Sequence, residues 1–130
     1  AVFASERGVR TVVIEHNRQL GKKLAITGKG RCNVTNNSDN DNIMKNIPTG
    51  SRFLYSALAG FSAYDTMSFF EGLGVPLKTE RGNRVFPVSD SAKDIVEALK
   101  KRMGTLGVKI ITAHAKGVIT EDGSQGRKAW

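Results

Sequence analysis

The sequence predicts an α/β fold with parallel strands, and three observations carry that prediction. Val12, Val13 and Ile14 form a β-branched run, the composition of a strand covered on both faces. A helical stripe of Ile95, Leu99, Met103 and Leu106 is followed directly by a second apolar run at residues 108–112. A Gly-Val pair opens each strand (Gly8-Val9 and Gly107-Val108), so both are entered from a helix, as in strand-helix-strand units.

Taken in order, residues 1–8 read as the last turns of a helix, with Gly8 at a left-handed C-cap. The chain is therefore expected to start in mid-element. The strand at residues 9–15 closes on Glu15. Lys22, Lys23, Lys29 and Arg31 then lie among Gly21, Gly28 and Gly30, a basic glycine-rich turn. Residues 33–50 turn to Asn, Asp, Ser and Thr and read as a loop, with a short helix at 41–46. A short helix is expected at 53–58 and a clearer one at 62–73. Ser62 caps the latter, Asp65 stands three residues on, and Met67, Phe70 and Leu73 recur at helical spacing.

Residues 75–78 and 84–88 are short strands around a hairpin-like turn at 80–83. The helix at 89–106 is capped by Ser89 or Ser91, has Asp90 and Asp94 near the positive end of its dipole, and has Lys100, Lys101 and Arg102 nearer the negative end. Gly107 stops it. From Gly117 the chain reads as a strand fragment with a turn at Asp122-Gly123, and residues 126–130 show no pattern.

Composition narrows the function. At 130 residues, 39% hydrophobic and 25% charged, the chain is the size of one soluble domain. A net charge of +8 favours anionic partners: nucleotide phosphates, nucleic acid or an acidic surface. No apolar run approaches the roughly 20 residues that cross a bilayer, and residues 1–8 lack signal-peptide character. One cysteine, Cys32, excludes an intrachain disulfide and fits a reducing compartment. The expectation is a cytoplasmic chain.

The chemistry concentrates between Thr11 and Asn37. An acid at the end of a strand accepts hydrogen bonds from a ribose in dinucleotide-binding units, glycines let backbone N–H groups approach a ligand, and cations complement phosphate. The stretch thus suggests a nucleotide cofactor. Walker A is absent, and residues 28–33 read GxGxxN rather than GxGxxG. A phosphate fingerprint belongs roughly 20 residues before the ribose acid, which places it upstream of Ala1. Taken singly, each residue has a plainer reading. Glu15 is equally a solvated acid, Lys22 and Lys23 a surface pair, Cys32 an unreactive thiol, and Phe53, Phe61, Phe69 and Phe70 core. His16 and His114 have no Cys or acid at metal-ligand spacing, so no metal site is expected.

Taken together, the blocks carry a resemblance. GKKLAITGKGRCNVTN at residues 21–36 is similar to the LGKKLLISGGGRCNVTN signature of aminoacetone-oxidase-type FAD-binding flavoproteins, a family that also includes bile-acid reductases. FLYSAL at 53–58, FEGLGVPLK at 70–78 and GNRVFPVS at 82–89 agree with it, so the resemblance covers residues 1 to about 119.

That resemblance implies a partial Rossmann-like FAD-binding domain at 1–119, with parallel strands and the start of inserted elements. The helical and hairpin segment 43–88 falls within it, and residues 120–130 form an unassigned tail. It implies a longer parent chain, whose first strand and GxGxxG precede Ala1 and whose substrate domain follows Trp130. By resemblance Glu15 binds the adenosine ribose, and Lys23, Thr27, Gly28, Gly30, Arg31 and Asn33 line the pyrophosphate and flavin side. Residues 107–119 return as a strand near the adenine. Lys29 replaces the middle glycine of the GGG run, and Lys116 stands where an apolar residue is expected. The implied function is a fragment of an FAD-dependent oxidoreductase acting on a small organic substrate, with NAD(P)H as an electron donor. No general acid or base can be nominated, and alone the chain is expected to bind FAD weakly. The rival is a stand-alone basic module binding nucleic acid or another polyanion. The scattered basic residues and core-spaced aromatics argue against it.

Overall fold

The computed structural model describes residues 1–117. The strand fragment expected beyond Gly117, the Asp122-Gly123 turn, the 120–130 tail and the domain limit at 119 all lie outside the described residues. The chain divides into two compact units: residues 1–20 with those from Met103 on, and residues 21–102.

In the first unit, helix α1 (Val2–Glu6) ends as Gly8 takes φ 78° and the Val9 N–H donates to Ala4 O at 3.1 Å. That closure occupies Val9, and the Thr11 hydroxyl turns back to Val9 O at 2.9 Å. The first strand, β1, is therefore Val12–Glu15, shorter than residues 9–15. It pairs in parallel with the last described strand, β5 (Lys109–Thr112), Val13 opposite Ile110 and Glu15 opposite Thr112. The expected α/β arrangement with parallel strands is thus present. The expectation of a strand covered on both faces is corrected: Val12 and Ile14 are 46% and 54% exposed. Among the described residues β1 has a strand neighbour on one edge only, and exposure alternates along it with the period of the pleat.

The second unit is built on an antiparallel sheet. Helix α2 (Lys22–Ile26) leads into a tight helical turn, Thr27–Gly30, and then into β2 (Thr35–Asn36). After α3 (Asn40–Lys45), a single turn at Ser51–Leu54, α4 (Tyr55–Gly60) and α5 (Ala63–Gly72) come β3 (Leu77–Glu80) and β4 (Arg84–Pro87). The sheet order is β2-β4-β3. The expected β3–β4 hairpin is present, its first strand two residues later than residues 75–78 and ending on Glu80. Residues 35–36, expected as loop, are corrected to a strand because Thr35 and Asn36 pair with Val85 and Arg84. Tertiary pairing overrides their polar composition.

The capping box on α5 is complete: the Asp65 N–H donates to Ser62 Oγ at 3.2 Å, and the Ser62 N–H donates to Asp65 Oδ2 at 2.8 Å. Helix α6 (Ala92–Thr105) begins directly after Ser91. Its stripe forms the core: Cys32, Val75, Ala92 and Ile95 are buried together, with Val34, Phe70, Leu77, Ala98 and Leu99 packed against them. Ile95 is 1% exposed, worth about 2 kcal/mol of burial. Cys32 sits inside this core as a free thiol, as its plainer reading expects. Phe53 and Phe61 are corrections: at 89% and 39% exposure they are not core, Phe53 lying in the short turn before α4 and Phe61 at its C-terminal cap. Phe61, Phe69 and Phe70 stack edge to face at 6.4 and 5.2 Å. Among the described residues no helix is long and apolar enough to cross a membrane.

Candidate functional site

In the first unit the site residue is Glu15, at the carboxyl end of β1, the edge of a parallel sheet where α/β folds bind ligands. Its Oε1 accepts from the Asn17 N–H and from Asn17 Nδ2, both at 2.8 Å. These bonds hold the carboxyl below the usual range, the backbone donor of Asn17 contributing most, so Glu15 is ionised and oriented. His16 Nδ1 stands 3.4 Å from the same oxygen, and the His16 and His114 rings lie 4.9 Å apart. Among the described residues no three His, Cys, Asp or Glu are grouped to hold a metal ion.

In the second unit the remaining site residues share one continuous segment. Lys22 and Lys23 are exposed on α2, and the Thr27 hydroxyl donates to Leu24 O at 2.8 Å, closing that helix. Gly28, Lys29 and Gly30 then take φ of 56°, 58° and 86°, and Cys32 takes 58°. Such a left-handed run turns the backbone sharply and leaves the Thr27–Gly30 peptides at the surface. Lys29 keeps this shape despite its side chain. Gly28 is required from within: a Cβ there would meet the Asn33 N at 2.9 Å and Phe86 Cε1 at 3.0 Å. Asn33 is exposed; with its amide nitrogen turned inward it donates to Thr35 O and Val85 O at 3.1 and 3.2 Å, fastening the turn to the sheet.

Arg31 is placed differently from an open phosphate ligand. Its guanidinium is bonded to Glu80 and Asp90 and lies 4.1 Å from the Phe86 ring centroid. Lys78 Nζ bonds Asp90 Oδ2 at 2.7 Å. Asp90, expected only near a helix dipole, instead adopts φ 56° and joins this network. Glu80 is held low chiefly by its bond to Arg31, and Asp90 by its bonds to Lys78 and Arg31. Sequence reasoning missed Asn17, Lys78, Glu80, Phe86 and Asp90. Glu80 and Asp90 lie on either side of the recognisable GNRVFPVS block and Phe86 within it, but nothing in their spacing marks them as partners of residue 31.

A family profile described as the HI0933-like protein Rossmann domain matches residues 1–128. The chain belongs to this family. As FAD-binding Rossmann domains, its members support FAD as the cofactor by family. Among curated relatives of this HI0933-like domain, the 3-dehydro-bile acid delta(4,6)-reductase of Clostridium scindens is 31% identical over 134 residues, covering 96% of this chain and 32% of that protein. The ribosomal RNA dihydrouridine synthase of Haemophilus influenzae is 27% identical over 85% of this chain and 27% of that protein. Its Escherichia coli namesake is 28% identical over 76% of this chain and 24% of that protein. The chain thus spans a third or less of the length of these relatives.

Proposed function

We propose that this HI0933-like domain is the cofactor-holding part of an FAD-dependent oxidoreductase that reduces a carbon–carbon double bond conjugated to a carbonyl. The observation that carries the cofactor reading is Glu15, an ionised and pre-oriented acceptor at the carboxyl end of a strand in a parallel pair. Within the first unit Glu15 is an acceptor suited to ribose hydroxyls; within the second, taken by itself, the exposed left-handed turn with Lys22, Lys23 and Lys29 offers N–H groups and cations suited to phosphate. Bound FAD supplies the two-electron chemistry, with NAD(P)H as the electron donor. The chain's own residues bind and orient it.

The names of the relatives support the substrate class. A delta(4,6)-reductase of a 3-dehydro (3-oxo) bile acid and a synthase of dihydrouridine from uridine both saturate a double bond conjugated to a carbonyl. A small organic enone is the first reading. Uridine within RNA is the second, favoured by the two ribosomal RNA dihydrouridine synthases among the relatives and by the +8 charge.

The test is FAD titration of the purified protein, read by flavin fluorescence and absorbance. Saturable micromolar binding that weakens about tenfold in Glu15→Ala supports the reading. A folded protein with no saturable binding overturns it. Steep salt dependence of RNA binding would move the substrate to the second reading.

A further inference from the structure

Arg31 is extensively bonded, and its hydrogen-bond partners are carboxylates of its own chain. Nε donates to Asp90 Oδ1 at 2.8 Å and Nη2 to the same oxygen at 2.6 Å. Nη2 also donates to Glu80 Oε1, and Nη1 to Glu80 Oε2 at 3.3 Å. Four of the five guanidinium hydrogens are thereby directed at carboxylates. Lys78 completes the group, 2.7 Å from Asp90 and 3.7 Å from Glu80, so two cations and two anions neutralise one another. A phosphate brought to Arg31 would meet both carboxylates. Meanwhile Lys29, Cys32 and Asp90 hold left-handed backbone without being glycine. Such conformations cost about 1 kcal/mol each and persist only where surrounding contacts enforce them. The Arg31 bonds are among those contacts, beside the Asn33 amide, the Cys32 N–H to Thr27 O and the buried Cys32 side chain, and they tie this turn to residues 49 and 59 positions away.

We propose that Arg31 is a positioning residue: with Glu80, Asp90 and Lys78 it clamps the turn from Thr27 to Cys32 in its left-handed shape and does not itself ligate a cofactor phosphate. The inference rests on the reading of that turn as part of the FAD site. Its geometry makes the three partner residues as necessary to the site as Arg31.

The test compares Glu80→Gln, Asp90→Asn, Arg31→Ala and the double variant Arg31→Ala/Glu80→Gln in the full chain. A clamp requires that each carboxylate variant weaken FAD binding about fivefold, and that the double variant bind no more weakly than Arg31→Ala alone, the non-additivity of one coupled unit. Arg31→Lys should not rescue, because an ammonium cannot span two carboxylates in fork geometry. A phosphate-ligating Arg31 gives the opposite sign, since removing a carboxylate frees the guanidinium and tightens binding. Tightened or unchanged affinity in Glu80→Gln therefore overturns the proposal. A second readout needs no cofactor: the Cys32 N–H, bonded to Thr27 O at 3.0 Å, should exchange with solvent faster in both carboxylate variants. Unchanged exchange overturns the clamp as well. If the wild-type protein binds no FAD, the cofactor reading fails, and amide exchange alone decides the clamp.

Discussion

Gly28 lies against the ring of Phe86, so close that a Cβ at position 28 would stand 3.0 Å from Phe86 Cε1. The same Cβ would meet the Asn33 N at 2.9 Å, in a backbone conformation that L residues avoid. The glycine is therefore fixed by intrachain packing, whatever ligand the turn also meets. Gly28→Ala should destabilise the protein by about 3 kcal/mol, combining left-handed strain with overpacking. Gly30→Ala is the control: its Cβ would have only Ala25 O within 4 Å, at 3.9 Å, leaving strain of about 1 kcal/mol. Urea unfolding of both variants measures the difference, and equal losses would show that Phe86 does not constrain the turn.

Lys29 sits between these glycines at φ 58°. Replacing it by glycine removes the Cβ strain and adds unfolded-chain entropy, for a net gain of about 0.5 kcal/mol. Lys29→Gly should raise the unfolding midpoint. If Lys29 also meets the pyrophosphate, the same variant should bind FAD with a shallower salt dependence. A lowered midpoint would mean that contacts of the lysine side chain outweigh its backbone strain.

The acid limb of stability should belong in part to Glu80 and Asp90. Both have folded values below their ordinary 4.5 and 3.8. A depressed carboxylate contributes stability that is present above its unfolded value and lost as pH falls through the folded one. The contribution should therefore hold from neutrality down to about pH 5 and fade below pH 4. In Glu80→Gln and Asp90→Asn the midpoint should drop at neutral pH and vary less between pH 5 and 3. An unaltered acid limb would place the titration elsewhere.

Much of the fold could be read locally, and what could not was made by distant partners. Ser62 and Asp65 announce their helix because a capping box is written within four residues. The hairpin and the α6 stripe are equally local. Thr35 and Asn36 look like loop because their strand character comes from Val85 and Arg84, far along the chain. The same distance hid the site's charge network, since nothing around Arg31 in the sequence marks Glu80 and Asp90 as its partners. Left-handed Lys29, Cys32 and Asp90 were illegible for another reason: sequence patterns signal that backbone through glycine or asparagine. Phe53, read as core from its type, is exposed because its turn stands outside any amphipathic stripe.

Glu15 and Asn17 allow the ribose reading to be tested apart from folding. Both Asn17 donors converge on Glu15 Oε1 and hold its pKa below 4.5. A ribose acceptor must be ionised, so FAD affinity in the wild type should decline only at a pH below that at which an ordinary glutamate would lose its charge. In Asn17→Ala the carboxyl loses the side-chain donor while the backbone donor remains, and its pKa moves up toward the ordinary value. The decline in affinity should then begin at higher pH, with little change at pH 7. Circular dichroism at each pH separates this from acid unfolding, to which Glu80 and Asp90 contribute through a different unit. An equal loss of affinity at pH 7 and pH 4.5 would assign Asn17 to orienting the carboxylate rather than to keeping it charged.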